Sequence, residues 1–216
     1  MPNRDYHAER REYGFASLRR ADLNTDPFHQ FADWMETALE KTQQDATAMS
    51  VSTVSSDGQP HSRIVLLKAF SSEGFIFYTH YDSDKGQQID QNAKAALLFF
   101  WPDLDRQIRI EGTLQKVSRE TSEAYFYSRP KDSQVAASIS NQSQPVASRD
   151  LLEAKLENAM SQPDKALTCP AHWGGYQLKP CYFEFWQGRP SRLHDRFRYQ
   201  RLSKNDQAWQ ITRLNP

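Results

Sequence analysis

Near the C-terminus, residues 185–197 read FWQGRPSRLHDRF and concentrate the residue types best suited to gripping an anion. Taken as a strand, its side chains alternate between two faces. Arg192, His194 and Arg196 then share one face, with Leu193, Asp195 and Phe197 on the other. Two guanidiniums flanking an imidazole repel one another unless an anion or carboxylates compensate. The fixed donor fork of Arg suits phosphate, and His titrates near neutral pH. Trp186, just upstream, offers a flat wall. This pattern describes a pocket for a planar, anionic ligand; the competing reading is a solvated edge strand with ordinary charges.

Four other stretches carry similar chemistry. In RIVLLK at 63–68, cations flank an apolar strand. They could hold a phosphate at one end while the middle supports a ring. Strict alternation puts Arg63 and Lys68 on opposite faces, so either the strand is bulged or the two serve different groups. In YTHYDSDK at 78–85, Ser83 can cap a following helix, and Thr79 and Lys85 beside that N-terminus make a phosphate seat. Asp84 opposes this, because a carboxylate in the first turn repels a phosphate and favours a helix with no ligand. Gln107 lies within an alternating stretch, where an amide can meet the edge of a heterocycle or simply face solvent. In YFYSRPKDS at 125–133, Tyr125 and Arg129 are four apart, and Ser133 follows Pro130. Phenol, guanidinium and hydroxyl together can grip a phosphate, or the Arg is a solvated helix end. The polar run 140–143, SNQS, means little in isolation.

Other constellations are missing from the sequence. There is no G-x-S-x-G, H-E-x-x-H, Walker loop or G-x-G-x-x-G. The six histidines lack metal spacing, so no structural metal is expected. If the chain is an enzyme, a bound cofactor carries the chemistry. Lys plus Arg number 27 and Asp plus Glu 27, so nothing suggests a bulk nucleic-acid binder. No apolar run reaches the ~18 residues of a membrane span, and the polar N-terminus has no signal core. Cys169 and Cys181 lack a metal-type or redox spacing and read as reduced thiols of a cytoplasmic protein, with a single disulfide as the alternative.

The elements that must position these groups follow from periodicity. Residues 1–25 form a charged arm in which Tyr13, Phe15 and Leu18 leave room for docking; otherwise it is a disordered tail. Asp26 and Pro27 start an amphipathic helix to about Thr42, with Phe28, Phe31, Trp34, Met35, Ala38 and Leu39 at helical spacing. The period then changes to two. Strands are expected at 47–54, 61–70 and 75–79, with turns at Asp57-Gly58 and Glu73-Gly74. A loop and short helix occupy 81–92. A continuously apolar, buried strand spans 94–101 and an alternating one 106–117. Helices are expected at 118–127, 133–139 and 148–160, the last with Leu151, Leu152, Lys155, Leu156 and Ala159 near one face. After a connector at 162–173, strands at 175–186, 193–201 and 208–214 close the sheet. With a mean hydropathy of −0.80 and 12% aromatic residues, large rings must fill the core. No strand–helix–strand alternation supports a doubly wound sheet. The chain is therefore mainly β with peripheral helices, a partly closed antiparallel barrel.

Several pieces occur together in a specific order: RREY at 10–13, RIVLLK at 63–68, FYT at 77–79, SRPKDSQ at 128–134, WGGY at 173–176, EFWQG at 184–188 and RLHDR at 192–196. In this the chain resembles the pyridoxine/pyridoxamine 5′-phosphate oxidase family over nearly its whole length. The resemblance implies an antiparallel split β-barrel binding FMN at the interface of a homodimer. Residues 26–216 would form one domain with a helical insertion at about 118–161. It implies that Arg63, Ile64, Val65, Leu66, Leu67, Lys68, Tyr78, Thr79, Lys85, Gln107, Gln142, Ser143, Trp186 and Arg196 contact FMN. Lys68, Tyr125, Arg129, Ser133, Arg192, Leu193 and His194 would hold the substrate, with Arg10, Arg11, Glu12 and Tyr13 folding over it as a lid. Arg192 and His194 would sit over the pyridine ring as the catalytic pair. The implied activity is oxidation of pyridoxamine and pyridoxine 5′-phosphates to pyridoxal 5′-phosphate, with oxygen reduced to peroxide. Members often carry a second basic residue where this chain has Asp84, so either FMN is held more weakly or Asp84 faces away. Competing readings are a flavin reductase, which would oxidise NADH, and a non-catalytic flavin or pyridoxal phosphate binder. The substrate-side pieces RLHDR and SRPKDSQ argue against both.

Overall fold

The computed structural model describes residues 5–161, 167–201 and 208–216. Helix α1, Pro27–Lys41, starts where the Asp26 carboxylate accepts the Phe28 N–H and Pro27 presets the first helical φ. Its stripe buries Phe28, Phe31, Trp34, Met35 and Ala38, whereas Leu39 falls off the stripe and is exposed. Strands β1 (Ala48–Val54) and β2 (Pro60–Leu66) form a hairpin whose Gly58 has φ 88°, a conformation that glycine tolerates best. Strands β3 (Ala69–Ser71) and β4 (Gly74–His80) lead to helix α2 (Asp84–Gln91), capped by Ser83 Oγ accepting from the Gly86 N–H. Strands β5 (Lys94–Trp101) and β6 (Arg106–Lys116) precede helices α3 (Arg119–Ser128), α4 (Lys131–Ile139) and α5 (Arg149–Met160). Strands β7 (Trp173–Gln187), β8 (Asp195–Gln200) and β9 (Gln210–Leu214) complete the order.

One sheet runs β2-β1-β5-β6-β7-β4-β3, with β8 on β7 and β9 on β8. The pairs β3–β4, β4–β7, β7–β8 and β8–β9 are antiparallel. The chain divides into two compact units. One comprises residues up to 48, 98–110 and 181 onward; the other comprises 49–97 and 111–180. In the first, α1 lays aromatic edges on the sheet: Phe28 on Phe183, Phe31 on Phe99 and Trp34 on Phe185, all with centroids 5.2–5.3 Å apart. In the second, Met49, Val51, Phe75, Phe77, Leu97, Tyr176 and Leu178 are buried on the sheet. A smaller cluster of Phe126, Ala137, Cys169 and Trp173 lies under the helices.

Four expectations need correction. The strand expected at 61–70 is two strands. After Leu66 the chain leaves β1, and the Lys68 N–H donates to Ile76 O, handing the chain to β4. β5 is not buried on both faces: Leu97, Phe99 and Trp101 point inward while Phe100 is 50% exposed. No residue of α5 is buried, so its leucines do not form a core face. Finally, 185–197 is not one strand. Pro190 cannot donate to a ladder, and residues 190–192 form a 3-10 turn with Ser191 and Arg192 at φ 57° and 62°. Arg192 therefore leaves the strand before β8 begins. Residues 1–4 of the arm and 162–166 of the connector lie outside the described residues.

Candidate functional site

A cavity of about 910 Å³ opens within the second unit, a volume in the range of small-molecule sites. The break after Leu66 explains its first feature: Arg63 from β2 and Lys68 from the link both line it, which a straight strand would forbid. Ile64, Val65 and Leu66 line it too, but Leu67 is buried away from it. Tyr78 and Thr79 come from the end of β4, Lys85 from the first turn of α2, Tyr125 and Arg129 from α3 and its C-cap, and Gln142 and Ser143 from the turn after α4.

The electrostatics of this wall are unusual. The Lys85 side chain is 7% exposed, yet its ammonium donates only to neutral oxygens: Thr79 Oγ1 (3.1 Å), Ser83 Oγ (3.3 Å) and Gln142 Oε1 (2.9 Å). Burial, with the Arg63 charge adding to it, brings its pKa down to about 8. Arg63 likewise donates to neutral groups, Thr53 Oγ1 at 2.7 Å, Val51 O at 3.1 Å and Gln88 Oε1 at 3.1 Å, and burial lowers its pKa. Arg129 Nη1 is buried without a partner. Buried and half-buried cations whose hydrogen bonds go to neutral groups favour a nearby anion. Beside them, Tyr78, Tyr125 and Trp173 are near-parallel: Tyr78 stacks on Tyr125 at 3.9 Å and on Trp173 at 5.5 Å, and Arg129 lies over Trp173 at 4.9 Å. Asp84 does not face away; it lines the same cavity.

A second cluster belongs to the first unit. Trp186, Tyr13 and His194 are mutually packed, with centroids 5.6 Å (Tyr13–Trp186), 5.1 Å (Tyr13–His194) and 4.6 Å (Trp186–His194) apart. The Arg189 N–H donates to His194 Nδ1 at 3.1 Å, which leaves the proton of the neutral ring on Nε2. Burial and the charges of Arg192 and Arg196 push the His194 pKa down, favouring that neutral form. Arg192 lies over the Tyr13 ring at 5.6 Å and lines a 280 Å³ cavity with Arg10, Arg11, Glu12, Tyr13, Arg189 and Ser191. Arg196 is engaged differently from its expected role. Its guanidinium pairs with Glu184, itself 2% exposed, at 2.9 Å, and donates to Asn215 O. The arm is docked within this unit. Asp105 accepts from the Gly14 and Phe15 N–H groups and Asp195 from Leu18. Gly188 permits this approach, since a Cβ there would meet Tyr13 Cδ1 at 2.5 Å.

The 910 Å³ cavity thus gathers ten of the fourteen residues expected at FMN, and Lys68, Tyr125 and Arg129 of the substrate set. Leu67, Ser133, Gln107, Trp186 and Arg196 do not line it. Leu193 is 69% exposed. Sequence reasoning missed Trp173, Glu184 and Arg189, and read Ser83 as a helix cap but not as a partner of Lys85. Trp173 and Glu184 stand inside quoted motifs, but only packing shows their roles.

Comparison with known proteins decides the family. A family model described as pyridoxamine 5′-phosphate oxidase matches residues 35–162. A second, described as the pyridoxine 5′-phosphate oxidase C-terminal dimerisation region, matches residues 173–216. The chain belongs to the pyridoxamine 5′-phosphate oxidase family. It is 92% identical, over the full length of both chains, to pyridoxine/pyridoxamine 5′-phosphate oxidase 1 of Hydrogenovibrio crunogenus. It is 50% identical over 96% of each chain to the corresponding Cytophaga hutchinsonii oxidase. Among solved structures, PhzG from Burkholderia lata, in complex with tetrahydrophenazine-1-carboxylic acid, superposes with a TM-score of 0.85 at 28% identity, covering 94% of this chain and all of that one. The sheet therefore has the split-barrel fold of this family, and the match to a dimerisation region supports a homodimer. No helix among the described residues is long and apolar enough to cross a membrane.

His80, next to Thr79 at the end of β4, is buried and stacks on His172 at 5.1 Å. Burial first, then the charges of His172 and Lys85, bring its pKa down to about 4 from an ordinary 6.5. Between those values the unfolded chain holds a proton that the folded one refuses. Stability from this group is therefore complete above pH 6.5 and lost as pH falls toward 4. Melting temperature measured across this window is expected to drop with acid. The slope should be shallower in His80→Asn; an unchanged slope would assign it elsewhere.

Proposed function

We propose that this protein oxidises pyridoxamine 5′-phosphate and pyridoxine 5′-phosphate to pyridoxal 5′-phosphate, using FMN and oxygen and releasing hydrogen peroxide. The observation that carries this reading is the buried Lys85 ammonium with only neutral partners, set beside a stack of aromatic rings. That donor set fits a phosphate attached to a flat heterocycle, as FMN is. The family and the names of its relatives support the same substrates. When bound, FMN would supply a two-electron acceptor for hydride from the substrate carbon bearing the alcohol or amine, with oxygen as the final acceptor; the alcohol becomes the aldehyde directly, and the amine becomes an imine that water hydrolyses to the aldehyde and ammonia.

The chain's own residues position. Arg63, Lys85, Thr79, Gln142 and Ser143 hold the flavin phosphate, and Gln107, Trp186 and Arg196 complete the flavin contacts. Lys68, Tyr125, Arg129 and Ser133 hold the substrate phosphate, so that both rings are fixed face to face. Arg192 and His194 orient the pyridine ring, His194 through its free Nε2–H. The arm through Arg10–Tyr13 acts as a lid that excludes water, and Leu193 joins the substrate set. FMN sits at the interface of the homodimer. The setting is the cytoplasm, in keeping with two cysteines, Cys169 and Cys181, whose spacing is neither metal-type nor redox-type. Purified protein is expected to show flavin absorbance and to yield peroxide and pyridoxal 5′-phosphate in equal amounts from either substrate. NADH oxidation without turnover of the phosphorylated substrates would overturn the reading in favour of a flavin reductase.

A further inference from the structure

We propose that Asp84 is a specificity-determining residue of the phosphate seat, loosening its hold on a doubly charged phosphate so that FMN exchanges more readily than the two cations alone would permit. The inference rests on the FMN reading above. Asp84 lines the same cavity as Arg63 and Lys85. Its backbone N–H donates to Ser143 Oγ at 3.3 Å, which fixes the residue against the turn that also supplies Gln142. Its carboxylate forms no ion pair within 4 Å among the described residues, and it is exposed. The charge is therefore not cancelled by contact and acts on the cavity through its field. That field is felt by the wall: Asp84 opposes the loss of the proton from both Arg63 and Lys85.

A purely structural role predicts something else. A carboxylate at the first position of α2 favours the helix through its dipole. Removing it would then lower the stability of the free protein and leave FMN affinity unchanged or weaker. Repulsion of phosphate predicts the opposite sign for FMN.

The test strips flavin from the protein and titrates it with FMN and with riboflavin, which lacks the phosphate, following flavin fluorescence. Asp84→Asn and Asp84→Ser are expected to bind FMN about tenfold more tightly, equivalent to about 1.4 kcal/mol, with riboflavin affinity unchanged. Asp84→Glu keeps the charge and should stay near the parent value. Equal or weaker FMN binding in both neutral variants, or an equal gain for riboflavin, overturns the proposal while leaving the FMN reading intact. Failure of every form, parent included, to bind FMN overturns that reading and this inference with it. The serine variant keeps the test open should the asparagine protein fail to fold, since serine is well tolerated at a helix start.

Discussion

Arg192→Ala is expected to lower kcat/KM by about 10²–10³-fold while the purified protein keeps its full complement of flavin. Arg192 sits in the turn between β7 and β8 at φ 62°, over the Tyr13 ring, in a small cavity that also collects Arg10, Arg11 and Arg189. Its guanidinium has no ion-pair partner among the described residues, so it is available to a ligand. Truncating one member of a desolvated charge pair costs about 3–4 kcal/mol, the free-energy equivalent of that loss. The residue does not line the 910 Å³ cavity, where the proposed flavin-phosphate contacts lie. Flavin retention should therefore be untouched. Steady-state kinetics with pyridoxamine 5′-phosphate, together with flavin-to-protein absorbance ratios, decide the matter. Loss of flavin, with normal turnover once FMN is added back, would show that Arg192 serves the cofactor instead.

Lys85→Met should reverse that pattern. Methionine retains most of the side chain's length and apolar stem but removes the ammonium that Thr79, Ser83 and Gln142 surround. FMN affinity is expected to fall about 100-fold, because a charge-assisted contact in a buried seat is lost. The flavin-free protein should melt within about 3 °C of the parent. Its ammonium is costly to bury, and that relief offsets the lost hydrogen bonds to within about 1 kcal/mol. In the parent, affinity should hold below pH 8 and weaken as pH rises through about 8, where the free protein's Lys85 loses its proton. Calorimetric titration of stripped protein checks both statements. A methionine variant that binds FMN normally would remove Lys85 from the phosphate seat.

Glu184 illustrates why charges cannot be assigned from spacing alone. At the sequence level Arg196 is one of two guanidiniums flanking an imidazole on a shared face. In the folded chain it stands opposite Trp186 in the β7–β8 ladder, and its guanidinium is taken by Glu184, which also receives Arg109 at 3.3 Å. A carboxylate buried at 2% is tolerated because two guanidiniums and the Tyr182 hydroxyl satisfy it. Any contact between Arg196 and a flavin therefore comes from a cation already neutralised and held rigid.

Much of the architecture was legible in residue order because it depends on local physics. Asp26 with Pro27, Ser83, Ser118 and Ser148 each mark a helix start through a side-chain oxygen facing unpaired N–H groups, and all four caps are present. The hairpin at Gly58 and the alternation of β6 follow from the same short-range rules. That Arg63, Lys85, Tyr125 and Arg129 would line one cavity was legible too, because their motifs recur together in one order. What only the folded chain decided were matters of long-range competition. Leu66 ends a strand because Lys68 finds Ile76 as a partner. Gly188 and Pro190 break the C-terminal strand because residue 188 must pass close to Tyr13. Trp173 enters the ring stack, and Lys85 is surrounded by neutral oxygens, because segments from 79 to 173 converge there. Such choices depend on which distant surface is near enough to desolvate a group or satisfy it, and spacing along the chain carries no record of that distance.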